Sequence, residues 1–157
     1  MAMAMAMATR CSRSVCTAMA SSTASMSCTS RDIVAIGDAY VKEASFTPED
    51  VKQFVHLTGD ENPIHQKAVA LVPGWLTASI FPSIIGSEFP GSLYLEQSVR
   101  FKKKIYVGEG LTAKLVVKRV QGRQAVFDTQ CFHDDTGEVV VEGEARALLK
   151  QGKGGKQ

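Results

Sequence analysis

The sequence predicts an α+β domain in which an antiparallel sheet is wrapped around a central buried helix. Two observations carry this reading. Residues 93–149 read as consecutive strands joined by short turns, a pattern that favours antiparallel neighbours. Ahead of them, residues 74–87 place Trp75, Leu76, Ile80, Phe81, Ile84 and Ile85 around nearly the whole circumference of a helix. A helix that is apolar all round needs cover on every side, and curving the sheet over it is the cheapest packing.

Each element has a local reason. Phe46-Thr47-Pro48-Glu49-Asp50-Val51 is a helix start. Thr47 can cap it, Pro48 fits the first helical position and Asp50 supplies the acid that completes a capping box. Phe46 and Val51 are spaced for a hydrophobic staple. Val51, Phe54, Val55 and Thr58 follow one face, and Gly59 can end the helix. In the second helix, Gly74, Ala78, Ser79 and Gly86 allow close approach of other backbone, and Pro82 removes one backbone bond. Leu93 to Phe101 reads as a strand. In the next, Leu111, Ala113, Leu115 and Val117 alternate with Thr112, Lys114 and Lys118. Gln121-Gly122-Arg123 turns into a strand from Gln124 to His133, and Asp134-Asp135-Thr136-Gly137 turns into Glu138 to Leu149. There Val139, Val141, Ala145, Ala147 and Leu149 share a face opposite Glu142, Glu144 and Arg146.

The two ends differ in composition from the body. The first 31 residues hold Arg10, Arg13 and Arg31, no Asp or Glu, eleven Ser or Thr, all six Met and three of the four Cys. An Arg-bearing, Ser-rich, acid-free N-terminus reads as an organelle transit peptide, with the mitochondrion as first destination and the plastid second. It has no apolar run long enough for a membrane anchor. Residues 32–150 are read as one domain and residues 151–157 as a flexible tail. Three of the 18 basic residues lie in the leader, leaving 15 against 16 acidic ones. The basic balance of the whole chain therefore gives no support for nucleic-acid binding. Cys131 is the single cysteine of the body, so neither a disulfide framework nor paired metal-ligand spacing is expected.

The chemistry concentrates in Thr58-Gly59-Asp60-Glu61-Asn62-Pro63-Ile64-His65-Gln66. Asp60 and His65 are five apart, awkward for one helix face but natural for a loop that folds back. A carboxylate and an imidazole that converge make a minimal acid/base pair. Taken singly, Asp60 and Asn62-Pro63 are turn residues and His65 is a structural histidine. His56 falls off the apolar face of its helix and His133 at a strand end, neither with a partner that suggests catalysis. Lys102-Lys103-Lys104 reads either as a solvated charge run or as a contact for phosphates or an acidic partner.

Phe46-Thr47-x-x-Asp50-Val51-x-x-Phe54, then Leu57-Thr58-Gly59-Asp60-x-Asn62-Pro63-Ile64-His65, and later Phe89 to Phe101, resemble the MaoC-like (R)-specific enoyl hydratase/dehydratase family, whose fold is the hot-dog. The resemblance covers roughly Ala44 to Leu149. With Val72-Pro73-Gly74 and Phe81-Pro82, the chain looks most like the branch of mitochondrial (3R)-hydroxyacyl-ACP dehydratases. It implies reversible syn hydration and dehydration of trans-2-enoyl thioesters, carried on acyl-carrier protein or CoA, without a cofactor or metal. It implies Asp60 and His65 as the catalytic pair, Asn62 as a residue ordering the site, and Gly74 as the glycine whose N–H binds the thioester oxygen. It also implies a homodimer, in line with the exposed edge of a single curved sheet. An (R)-specific enoyl-CoA hydratase and a non-catalytic acyl-thioester-binding protein are the alternatives. Two departures stand out. Pro73-Gly74 replaces the family's usual His-Gly, and only Gln66 to Pro73 separate His65 from Gly74, about half the usual spacing.

Overall fold

The computed structural model describes residues 34–67 and 70–150; the expected leader and tail lie outside the described residues. Five strands form one antiparallel sheet: β1 (Ala39–Ser45), β2 (Leu93–Phe101), β3 (Gly110–Gln121), β4 (Gln124–His133) and β5 (Val139–Leu148). Three helices join them: α1 (Pro48–Thr58), α2 (Gly74–Ala78) and α3 (Ile80–Glu88), with a short 3-10 turn at Pro63–His65. Spatial order is β1-β3-β4-β5-β2. The expected α+β architecture, a sheet against a buried helix, is present.

The core lies between the sheet and α3. Ile80, Phe81, Ile84 and Ile85 of α3 meet Leu111, Ala113, Leu115 and Val117 of β3, Phe127 and Cys131 of β4, and Val141, Ala145 and Ala147 of β5 in one buried cluster. Strict alternation along β3 is why its four apolar residues all point to α3. Burying each large apolar side chain contributes roughly 1.5–3 kcal/mol.

Four expectations need correcting. The single helix over residues 74–87 is two pieces that break at Ser79. Pro82 accounts for this: it has no N–H to give the Ala78 carbonyl, and its ring crowds that carbonyl, so the chain restarts as a new helix with Pro82 in its first turn. Trp75 is 63% exposed, so α2 is not covered on all sides; in α3, Ile80, Phe81, Ile84 and Ile85 are buried, while Gly86, Ser87 and Glu88 of the last turn are exposed. The strands do not form one meander. β3, β4 and β5 do, but β2 crosses over to pair with β5 at the far edge. Finally, β5 does not alternate cleanly at its start. The register slips one residue opposite Cys131 and Phe132, and the resulting bulge leaves Val140 buried beside Val141. β1, for which the sequence offers no clear strand pattern, pairs with β3 along its whole length.

α1 begins as expected. Thr47 Oγ1 accepts from the Asp50 N–H at 3.2 Å and Asp50 Oδ2 accepts from the Thr47 N–H at 2.8 Å, a complete capping box. These bonds favour the ionised carboxyl, and Thr47, mainly through its side chain, holds Asp50 below the usual carboxylate range. At the other end Gly59 adopts φ +72°, a conformation cheap for glycine and costly for other residues, and returns its N–H to the Val55 carbonyl.

Candidate active site

The helix stop at Gly59 delivers Asp60 into the loop. The Asp60 N–H also bonds to the Val55 carbonyl, at 3.2 Å, which fixes where the acid leaves α1. Asp60 then organises the residues after it. Its Oδ1 accepts from the Asn62 N–H at 3.2 Å, and Asn62 Oδ1 in turn accepts from the Ile64 N–H at 3.3 Å. Asn62 thereby caps the 3-10 turn of Pro63–His65. One such turn brings His65 back over Asp60, with Nε2 3.5 Å from Asp60 Oδ2. The two residues expected to converge do so. The His65 side chain is 7% exposed and that of Asp60 is 41% exposed, so the pair is an imidazole sealed on one side and a carboxylate open to solvent.

A backbone group completes the arrangement. His65 Nδ1 lies 2.6 Å from the Leu71 carbonyl oxygen. A carbonyl only accepts, so Nδ1 must carry the proton, and in the neutral ring Nε2 is left with a free lone pair facing Asp60. The sequence carries no signal for this partner, because any residue has a carbonyl. Leu71 is itself fixed. Its N–H bonds to the Ile64 carbonyl at 3.2 Å, and it forms an antiparallel bridge with Tyr106.

Asn62 spends its side-chain oxygen on the turn, so its visible role is to shape the loop. Gly74 opens α2, and its N–H precedes the first intrahelical bond, Thr77 N–H to the Pro73 carbonyl. Helical geometry therefore leaves that N–H free for another acceptor. A side chain at Gly74 would be driven into the Phe101 ring, at 2.8 Å from Cε1. His65 also borders a cavity of about 640 Å³ with Lys52, Val55, His56, Lys67 and Ala70, a size within the common range for small-molecule sites. His56 is exposed, as expected. Of the three lysines, Lys102 pairs with Glu142 at 2.8 Å and Lys103 with Glu138 at 3.1 Å. His133 has a partner the sequence did not reveal, Glu109, whose Oε2 is 3.5 Å from Nε2. Among the described residues no cluster of His, Cys, Asp and Glu is arranged to hold a metal ion, and no helix is long and apolar enough to cross a membrane.

Comparison with known proteins places these residues in a family context. A model described as "MaoC like domain" matches residues 32–142. The mitochondrial 3-hydroxyacyl-[acyl-carrier-protein] dehydratase of Arabidopsis thaliana is 34% identical over 133 residues, 76% of this chain and 80% of that protein. The (R)-specific enoyl-CoA hydratase of Aeromonas caviae is 34% identical over 117 residues, 66% of this chain and 87% of that protein. The solved structure of the A. caviae (R)-hydratase involved in PHA biosynthesis superposes with a TM-score of 0.69 at 30% identity, covering 74% of this chain and 98% of that one.

Proposed function

The chain belongs to the family of MaoC-like domains, and from that premise we propose that it is a (3R)-hydroxyacyl-[acyl-carrier-protein] dehydratase, a hydro-lyase of organelle fatty-acid synthesis. The observation that carries the reading is the Asp60–His65 pair with its ring tautomer held by Leu71. Neutral His65 Nε2 and the Asp60 carboxylate are both acceptors 3.5 Å apart, so one water can donate to each and be held as a nucleophile. In the hydration direction Nε2 takes a proton from that water as its oxygen bonds to C3 of a trans-2-enoyl thioester. Electron density moves through C2 to the thioester oxygen, where the Gly74 N–H is the proposed donor. The imidazolium then returns its proton to C2. Water has added to one face, and the pair ends as it began. Dehydration runs the same steps backwards. Asn62 supports the chemistry by holding the turn that seats His65. No step calls for a cofactor.

The acyl thioester on acyl-carrier protein is the proposed substrate, supported by the mitochondrial dehydratases among the relatives. A CoA thioester is the alternative, which the bacterial (R)-hydratases favour. A homodimer is supported by β2, an edge strand on which Leu93, Leu95 and Phe101 are exposed, with the exposed Trp75 of α2 set edge-on to Phe101. A mitochondrial destination is supported by residues 1–31; fusing them to a fluorescent reporter tests it against the plastid.

The deciding experiment incubates the purified full chain with trans-2-butenoyl thioesters of acyl-carrier protein and of CoA. Loss of enoyl absorbance with formation of the (R)-3-hydroxy product is expected, faster on the carrier protein. Absence of turnover by a folded dimer on either thioester overturns the enzymatic reading, and faster turnover of the CoA thioester favours the (R)-hydratase instead.

A further inference from the structure

His65 is held through a backbone carbonyl, so whatever holds that carbonyl acts on the reaction. Leu71 and Tyr106 face each other in an antiparallel bridge. The bonds that make the bridge come from their neighbours: Val72 N–H to the Ile105 carbonyl at 2.8 Å and Val107 N–H to the Ala70 carbonyl at 3.1 Å. This is the non-hydrogen-bonded kind of antiparallel pair, in which the N–H and C=O of both facing residues point outward. The outward groups of Leu71 meet the 3-10 turn: its N–H bonds to the Ile64 carbonyl and its carbonyl takes the His65 Nδ1 proton.

The outward groups of Tyr106 meet a single residue, Glu109. Tyr106 to Glu109 is a tight turn closed by the Glu109 N–H on the Tyr106 carbonyl at 3.2 Å, with Gly108 at φ +89° as a type II turn requires. The Glu109 side chain returns to the same residue, and Oε2 accepts from the Tyr106 N–H at 2.8 Å. That oxygen also lies 3.5 Å from His133 Nε2, where β4 ends. Glu109 therefore links Tyr106, the residue that faces Leu71, to the end of β4. Its bond to Tyr106 is charge-assisted, stronger than a neutral one.

We propose that Glu109 is a positioning residue for His65, acting through the Tyr106–Leu71 bridge to hold the carbonyl that fixes the reactive ring. The proposal rests on His65 being the base of the reaction. Without the carboxylate, the Tyr106 N–H loses its acceptor and the Leu71 carbonyl is no longer held at 2.6 Å from Nδ1. Nδ1 then exchanges its proton more freely, and the fraction of rings with an unprotonated, correctly aimed Nε2 falls.

The test uses the full chain with trans-2-butenoyl-CoA as the probe. Glu109→Ala is expected to lower kcat about tenfold with KM unchanged, the loss anticipated for a displacement well under 1 Å. Glu109→Gln keeps an acceptor for the Tyr106 N–H and is expected to recover most of the rate. Proton NMR of the histidine rings supplies a readout that a general loss of stability does not give. The His65 Nδ1–H signal should be lost or broadened in Glu109→Ala and kept in Glu109→Gln. A wild-type kcat in Glu109→Ala overturns the proposal, and so does a lowered kcat with an unchanged Nδ1–H signal. If Glu109→Ala does not fold, Glu109→Asp takes its place, charged but one methylene shorter. A wild-type kcat or an unchanged Nδ1–H signal in that variant overturns the proposal equally. His65→Gln separates the two layers: if that variant stays active, the assignment of the base is wrong, whereas an inert His65→Gln beside a fully active Glu109→Ala removes only the positioning role.

Discussion

Asp60–His65 and Glu109–His133 each set a carboxylate oxygen 3.5 Å from a histidine Nε2, and they differ in what meets the other ring nitrogen. In His65, Nδ1 faces the Leu71 carbonyl. In His133, Nδ1 is buried with no hydrogen-bond partner among the described residues. A buried N–H without an acceptor costs more than a buried lone pair of a neutral ring, so His133 keeps its proton on Nε2, the nitrogen that faces Glu109. His65 must do the reverse. The same pair of residue types therefore yields opposite tautomers: one ring presents a free base toward a carboxylate open to solvent, and the other ring turns its N–H toward one. Proximity of an acid to a histidine is not enough to define an acid/base site; the distal nitrogen decides.

The largest effects are expected in the first pair. Asp60→Asn and His65→Gln should each lower kcat by ~10²–10⁴ with the fold intact, the range for removing a positioned acid or base. Steady-state turnover together with circular dichroism checks this, and rates equal to the unmodified chain would refute the site. A second perturbation moves the acid without deleting it. Gly59→Ala forces a side chain into the left-handed region at φ +72°, and should cost about 1–2 kcal/mol and reduce turnover by shifting Asp60. Denaturant unfolding measures the first part; unchanged stability would mean that the helix stop relaxes freely. At the far end of α1, Thr47→Ala should cost about 1 kcal/mol and leave turnover nearly intact, because the cap lies a full helix away from Asp60.

The second pair has a built-in reporter. Cys131 sits two residues before His133 on β4, and its thiol is pushed up to about 12 by burial, with Asp134 adding to the shift. An acid whose folded pKa is raised stabilises the fold fully below its unfolded value of about 8.5 and loses that contribution as pH rises toward the folded one. Cys131 should therefore resist alkylation at neutral pH and become reactive as the fold weakens in alkali. Mass spectrometry after iodoacetamide checks this, and rapid labelling at neutral pH would show that the end of β4 opens. The subtlest test changes nothing in the protein. Nitrogen-15 NMR of the neutral rings should show Nδ1–H for His65 and Nε2–H for His133; the same tautomer in both would remove the distinction between the pairs.

The sequence disclosed the first pair and concealed the second for a physical reason. Asp60 and His65 are joined by a turn whose shape is written in Gly59, Asn62 and Pro63, so convergence follows from local rules. Glu109 and His133 meet because β3 and β4 pair, with Leu111 opposite His133, and nothing near either residue announces it. The fold divides the same way. The ends of β2 and β4 fall where the strand patterning and turn residues put them, and the capping box marks the start of α1. β1 was hidden because, as an edge strand with Val41 exposed, it lacks the clean alternation of a half-buried strand. The placement of β2 beside β5 is a long-range choice that short turns cannot encode. Leu71 was hidden most completely, since its contribution is a carbonyl common to every residue.

The Leu71–Tyr106 bridge has a consequence for how this loop tolerates change. The grip on His65 comes from the chain beyond the link, anchored from the opposite side by residues 105–107. The length of chain between Gln66 and Ala70 is thereby decoupled from the geometry of the imidazole. Residues can be gained or lost in that link while the carbonyl stays where it is, much as a rope between two moorings can be shortened without moving either post. The short segment from Gln66 to Pro73 is thus compatible with an intact pair, and a change of length in the link would alter access to the site without rebuilding it.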